Sequence, residues 1–212
     1  MTIHQRDKRM RQYIALEAAR LMAEHGINDY YAAKRKAAQQ LGAPDTRNMP
    51  SNQEIEEALQ DYQRLFKAAS QPQRLKQLRA AAQHFMGMFE AFQPRLVGSV
   101  LSGTAGEHSD VNLHLFTDST EEVGFFLIQE EIPFQTGERW LRLDNAAPPQ
   151  AFPTYKFMAG EVAIDLTVFP LVGIRQAPRS PVDGRPMRRA SLAAVIKLSE
   201  EGVYEKGYLS LS

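Results

Sequence analysis

The sequence contains no cysteine in its 212 residues, and this absence excludes disulfide bonds, thiolate metal sites and cysteine nucleophiles. It also lacks any apolar run approaching the ~20 residues that a membrane-spanning helix needs. The first 26 residues are charged and then amphipathic, without the apolar core of a signal peptide. We therefore expect a cytoplasmic protein with no membrane partner.

The chain also lacks net charge, because 25 Lys and Arg residues balance 25 Asp and Glu residues. The charges are spread unevenly, since residues 1–95 carry 15 basic and 10 acidic side chains and residues 96–212 carry 10 and 15. The basic first part is a candidate contact surface for a protein or nucleic-acid partner, although two ordinary solvated surfaces give the same counts.

Residues 1–93 predict a helical region, because apolar residues recur there at helical spacing in four segments. Gly26 is a plausible stop for the first helix, and Ser51 with Glu54 forms a capping box at the start of the third. Pro72 suits the first turn of the fourth helix, whose apolar stripe needs a partner. We expect this helical region to pack on the domain that follows it.

Residues 94–212 predict an α/β core with a C-terminal helix, because the apolar period changes after Pro94. RLVGSVL is typical of a short strand, and DVNLHLF alternates strictly. TYKFM and EVAIDLTVF predict two strands joined by a tight Ala-Gly turn. The last helix is expected from about residue 189 to 198. The predicted class is therefore α+β, with a mixed sheet and flanking helices.

Three features of this second region suggest chemistry. Gly98 and Ser99 follow a strand, and a glycine there lets a phosphate approach the backbone. Asp110 opens the alternating strand, and Asp165 interrupts an apolar one, where an acid is costly unless it is paired, solvated or bound to a cation. Each feature also has an ordinary interpretation: a plain turn, a strand-start Asp that bonds its own backbone, and an ion pair of Asp165 with Arg142 or Lys156.

Taken together, these residues resemble the nucleotidyltransferase superfamily with the polymerase-β-type fold, and above all its minimal bacterial branch. The pattern is Gly-Ser, three residues, Gly, one residue, Ala, three residues, Ser-Asp, followed by a later hydrophobic-Asp-hydrophobic element. It is met by Gly98, Ser99, Gly103, Ala105, Ser109, Asp110, Leu113, Ile164, Asp165 and Leu166. The resemblance covers roughly residues 94–170.

The resemblance implies transfer of a nucleoside monophosphate from a bound nucleoside triphosphate to an acceptor that the sequence does not identify. Gly98 and Ser99 would hold the triphosphate. Asp110 would bind Mg²⁺ or Mn²⁺, and Asp165 would help to deprotonate the acceptor. Mg²⁺ suits such a site because it prefers oxygen ligands and shares its shell with substrate phosphates.

The sequence departs from the family at two positions. Asn112 stands where the family has its second acid, so the candidate metal set Asp110, Asn112 and Asp165 loses one negative charge. Ser102 stands where minimal enzymes often carry an arginine. Both departures predict impaired nucleotidyl transfer and weak or absent binding of Mg²⁺ or Mn²⁺. The alternative is a non-catalytic module that uses the fold to bind a nucleotide or a protein partner.

Several neighbouring residues could add to the site. His114 shares a strand face with Asp110 and could supplement the metal set or act as a base, although a structural histidine is the commoner case. Arg188 and Arg189 stand at the predicted start of the last helix, where the helix dipole disfavours cations. This placement indicates that they face an anion such as a nucleotide phosphate. Trp140, with the arginines beside it, could stack on a base.

Overall fold

The computed structural model describes residues 3–44, 46, 48–144 and 146–208, and their side chains from 7 to 200. Within these ranges the protein is α+β, with seven α-helices and one five-stranded mixed sheet, as the sequence predicts. The helices are α1 (Ile3–His25), α2 (Tyr30–Gln40), α3 (Asn52–Phe66), α4 (Gln71–Met88), α5 (Ser99–Ser102), α6 (Glu121–Gln129) and α7 (Leu192–Tyr208). The strands are β1 (Arg95–Val97), β2 (Val111–Thr117), β3 (Gln135–Leu141), β4 (Gln150–Ala159) and β5 (Val162–Pro170).

The chain divides into two compact units. The helical unit contains Met1–Arg74 with residues 104–109 and 181–184, and the sheet unit contains Leu75–Gly103, Asp110–Ser180 and Arg185–Ser212. The division of the sequence into residues 1–93 and 94–212 stays a prediction. Every candidate site residue belongs to the sheet unit.

The helix boundaries of the helical unit follow from local capping chemistry. The α1 helix ends at His25 because Gly26 has a φ of 67°, in the left-handed region that favours glycine. Asp29 caps α2 by accepting a hydrogen bond from the Ala32 amide. The predicted capping box at the start of α3 is present, since Ser51 and Glu54 each bond the other's backbone.

The sheet has the strand order β1-β2-β5-β4-β3. Strands β2 and β5 are parallel neighbours, and the other adjacent pairs are antiparallel. The predicted hairpin of β4 and β5 is present, but its turn is Gly160–Glu161, one residue later than the sequence indicated. Gly160 takes a φ of 60°, which explains the glycine at this turn.

The two faces of the sheet differ in polarity. One face is apolar, with Val111, Leu113 and Leu115 fully buried, and the Phe157 ring meets the Phe85 ring of α4 edge-on at 5.2 Å. The other face begins with polar side chains and ends in a smaller cluster of aromatic rings. That second cluster consists of Phe116, Phe152 and Phe169.

Two predicted boundaries are wrong. The stretch RLVGSVL is not one strand, since β1 ends at Val97 and the one-turn helix α5 follows Gly98. The last helix begins at Leu192, because Ala190 still pairs with Leu96 in a β-bridge.

Candidate functional site

Gly98 begins the site at the end of β1. Its backbone has a φ of 74° and a ψ of −155°, a conformation that only glycine adopts readily. A Cβ added there would lie 3.6 Å from Nδ2 of Asn112, so the glycine is required by its backbone conformation more than by crowding. The turn therefore brings the main chain against the first polar side chain of β2.

The register of the sheet places three polar side chains side by side. Asn112 on β2 lies opposite Asp165 on β5, and Asp165 lies opposite Lys156 on β4. Since residues in register on adjacent strands share a face, these three form one polar row across the sheet. Asn112 and Asp165 are 53 positions apart in the sequence. The parallel pairing of β2 with β5 brings them next to each other.

Asp165 makes a partly buried ion pair with Arg139 of β3. Nη2 of Arg139 donates to Oδ2 of Asp165 at 2.8 Å, and Nη1 donates to the hydroxyl of Thr167, also at 2.8 Å. Only 11% of the Asp165 side chain is exposed. Its second oxygen, Oδ1, is buried and has no hydrogen-bond partner among the described residues. The carboxylate thus keeps one unused acceptor inside the site.

Asp110, immediately before β2, is paired with the lysine of the polar row. Nζ of Lys156 lies 2.7 Å from Oδ2 of Asp110. The main-chain carbonyl of Asp110 accepts a hydrogen bond from the Asn112 amide at 3.2 Å. One side-chain N–H of Asn112 is therefore engaged in a hydrogen bond that stabilises the start of β2.

His114 is buried one pleat further along β2 and contacts Arg189. Nε of Arg189 donates to Nδ1 of His114 at 3.1 Å. Burial, and then the charges of Arg189 and Arg139, hold the pKa of His114 well below its usual range. The imidazole is consequently neutral and uses Nδ1 as an acceptor. Its environment does not equip it to serve as a proton-accepting base at that nitrogen.

Arg189 is anchored over the aromatic cluster of the same face. Its guanidinium carbon lies 4.9 Å from the Phe116 ring centroid and 5.1 Å from that of Phe169, and Nη1 donates to the Gly173 carbonyl at 2.7 Å. Burial, and to a smaller extent the positive charge of Arg95, lowers the pKa of Arg189 to about 10. Nη2 of Arg189 is buried without a partner among the described residues.

The two arginines predicted to face an anion thus differ. Arg189 reaches into the site, whereas Arg188 is exposed. The prediction that both stand at the start of the last helix is wrong, because α7 begins at Leu192. Ser99 is partly buried in the first position of α5, next to Gly98. Trp140 is largely exposed.

The donor set does not match a magnesium site. No group of three or more His, Asp or Glu side chains among the described residues is arranged to hold a metal. One carboxylate oxygen of Asp110 and one of Asp165 are each paired with a basic side chain of the protein. The third member of the predicted metal set, Asn112, is a neutral amide. With Arg189, the site carries three cationic groups against two carboxylates, which favours an anion over a divalent cation.

The sequence alone does not indicate the role of Arg139 and suggests the wrong partner for Lys156. It offers Lys156 and Arg142 as partners of Asp165, but Lys156 pairs with Asp110 and Asp165 pairs with Arg139. The tight β4–β5 turn could have placed Lys156 opposite Asp165 by counting residues back from the hairpin. No comparable feature of the sequence predicts that Arg139 on the edge strand β3 contacts Asp165 on β5.

Comparison of the chain with protein-family models, with curated proteins and with solved structures found no match. Among the described residues, no helix has the length and apolar character needed to cross a membrane. The function is therefore inferred from the side chains of the sheet unit.

Proposed function

We propose that this chain is a nucleotidyltransferase-like protein of the cytoplasm that binds a nucleoside triphosphate beside the polar row and transfers its monophosphate weakly or not at all. The observation that carries this proposal is the register of Asn112 with Asp165 across two parallel strands, next to the Gly98 turn. A Gly-Ser turn after a strand and a carboxylate from a separate strand are parts that the sequence resemblance implies.

The ligand's phosphates are assigned to the Gly98 turn and to Arg189, which contacts His114 two residues beyond Asn112 on β2. Gly98 exposes its backbone, Ser99 offers a hydroxyl, and Arg189 keeps one buried donor, Nη2, without a partner among the described residues. Buried donors without partners are costly, so a ligand oxygen at Nη2 would stabilise the folded protein. Arg188 is exposed and is proposed only as a peripheral phosphate contact.

Transfer would need an acceptor oxygen to form a bond to the α-phosphorus while the bond to the leaving pyrophosphate breaks. Asp165 would take the acceptor's proton on Oδ1, the oxygen that Arg139 does not engage. Because Asn112 removes the family's second acid and both remaining acids are paired with cations, little negative charge is left to hold Mg²⁺ or Mn²⁺. Binding without efficient transfer is therefore the function that this geometry favours.

The proposal is tested by titrating each of the four nucleoside triphosphates into the protein and measuring the heat of binding. We expect at least one to bind, and Arg189→Met to weaken its binding about tenfold or more through loss of a charged hydrogen bond. Arg11→Met, which removes an arginine from the helical unit, serves as the control and should leave binding unchanged. Absence of binding by all four nucleotides would refute the proposal.

The impaired transfer is tested separately with Asn112→Asp. If Asn112 is a weakened version of the family's second acid, the variant should gain affinity for Mn²⁺ or transfer label from a radiolabelled triphosphate to an acceptor. A variant that only loses stability would show instead that Asn112 serves the strand start through its bond to Asp110.

A further inference from the structure

Lys156 and Arg139 lie where a cation bound to the acids would lie. Each contacts one carboxylate oxygen, at 2.7 Å on Asp110 and at 2.8 Å on Asp165. Charge-assisted contacts of this length are the strong class of protein hydrogen bond. Asp110 immediately precedes β2, and Asp165 lies on β5 opposite Asn112. Each acid is therefore neutralised by a side chain of another strand of the sheet, Asp110 by Lys156 of β4 and Asp165 by Arg139 of β3.

Both cations are carried by strands of the same sheet as Asp165. Lys156 stands in register with Asp165, and Arg139 belongs to the strand next to it. Arg139 is held by a second bond to Thr167, so its guanidinium spans two residues of β5. A divalent ion approaching Asp110 or Asp165 must displace a tethered cation or lie beside one, and both cost free energy.

We infer that Lys156 and Arg139 take the place of the divalent metal in this site, so that the acid pair binds no metal and phosphate binding there is metal-independent. The second half of this inference rests on the proposed function. The ligand class is a nucleotide polyphosphate without its metal ion, because the excess of cations over carboxylates leaves a positive site. The remaining acceptor, Oδ1 of Asp165, suits a hydroxyl donor on the same ligand.

The first arm of the test measures binding of MnCl₂ alone, by electron paramagnetic resonance of the free ion. The wild-type protein is expected to bind Mn²⁺ no more tightly than its Arg11→Met variant. The double variant Lys156→Met/Arg139→Met is expected to bind about tenfold more tightly or better, because it frees both carboxylates. Arg11→Met is a matched control, since Arg11 and Arg139 are both 35% exposed and each frees one carboxylate on removal.

The second arm uses the wild-type protein only, so it stands even if the double variant does not fold. The binding of ATP is measured in excess EDTA and in excess Mg²⁺. We expect an affinity in EDTA equal to or greater than that in Mg²⁺, and binding that appears only with Mg²⁺ would overturn the inference. Tight Mn²⁺ binding by the wild type that is lost in the double variant would also overturn it.

The two arms separate the inference from the proposed function. If ATP binds in neither buffer and none of the other three nucleoside triphosphates binds either, the proposed function fails. The Mn²⁺ arm still decides whether protein cations replace the metal. If ATP binds equally in both buffers and the double variant gains Mn²⁺, both proposals are supported.

Discussion

Two arginine–carboxylate pairs, one in each unit, have similar lengths and different surroundings. In the helical unit Arg11 grips Glu54 with contacts of 2.6 and 2.7 Å, and in the sheet unit Arg139 meets Asp165 at 2.8 Å. The Glu54 side chain is 39% exposed, whereas the Asp165 side chain is 11% exposed. Both oxygens of Glu54 are used, but one oxygen of Asp165 is not.

This difference separates a structural ion pair from a candidate ligand site. Glu54 completes a capping box with Ser51, and every bond it makes stabilises the start of α3. Asp165 is placed in the middle of an apolar strand, where a carboxylate costs free energy, and its hydrogen bonding is left incomplete. Incomplete satisfaction of a buried charge is poor for stability and is a reason to look for a ligand.

The largest effect is expected from removing the buried carboxylate. Asp165→Ala should lower the free energy of unfolding by about 3 kcal/mol, because it leaves the Arg139 guanidinium partly buried without its counter-ion. Glu54→Ala should cost about 1 kcal/mol, the value of a helix cap and a solvent-exposed pair. Urea unfolding of both variants measures the difference, and equal losses would remove the contrast between the two pairs.

The next largest change in stability is expected at Arg189, and the adjacent Arg188 serves as its comparison. Arg189→Met should cost about 2 kcal/mol, since it removes bonds to His114 and the Gly173 carbonyl and a cation over two aromatic rings. Arg188→Met should change stability by less than about 0.5 kcal/mol because its side chain is exposed. Thermal unfolding of the two variants checks this, and a larger loss for Arg188→Met would contradict the assignment.

A pH effect is expected from the buried histidine. Since the pKa of His114 is lowered in the folded protein, the unfolded chain binds the proton more readily below about pH 6.5. The stability contributed by the neutral imidazole is full above that pH and falls by about 1.4 kcal/mol for each pH unit below it, until the folded-state pKa is reached. His114→Asn keeps an acceptor for Arg189 but should lose this slope. An unchanged slope in denaturant unfolding between pH 5 and about 7 would exclude the histidine.

The smallest effect is expected from the exposed pair. The bond from Arg11 is the main cause that lowers the pKa of Glu54 to about 2. Its contribution to stability is therefore present above the ordinary carboxyl pKa and is lost as the pH falls toward 2. Because both groups are more than a third exposed, screening limits this contribution to about 0.5 kcal/mol. The variant Arg11→Met should lose it, as measured by unfolding at pH 3 and about pH 6.

Most of the fold could be predicted from local signals. The capping box at Ser51, the stop at Gly26 and the β4–β5 hairpin each depend on residues close in sequence, and each is present. The errors fell at Gly98 and at the start of α7, where a positive φ and a β-bridge to Leu96 override the apolar pattern. Such long-range pairing has no local signature.

Only part of the site could be predicted from the sequence. Spacing and the resemblance indicated Gly98, Asp110 and Asp165, and the sheet brings Asp165 beside Asn112. The counter-ions could not be assigned, because a long cationic side chain reaches several residues and its partner depends on strand order. Strand order also decides that Arg139 on the edge strand reaches across to β5.

We propose that Arg139 and Arg189 of the sheet unit belong to a ligand site and that Arg11 and Arg20 of the helical unit do not. The most direct measurement is the NMR spectrum of the arginine Nε–Hε groups during titration with ATP in EDTA. The account predicts that the Arg189 and Arg139 signals shift while those of Arg11 and Arg20 stay in place. Shifts confined to Arg11 and Arg20, or no shift in any of the four signals, would contradict it.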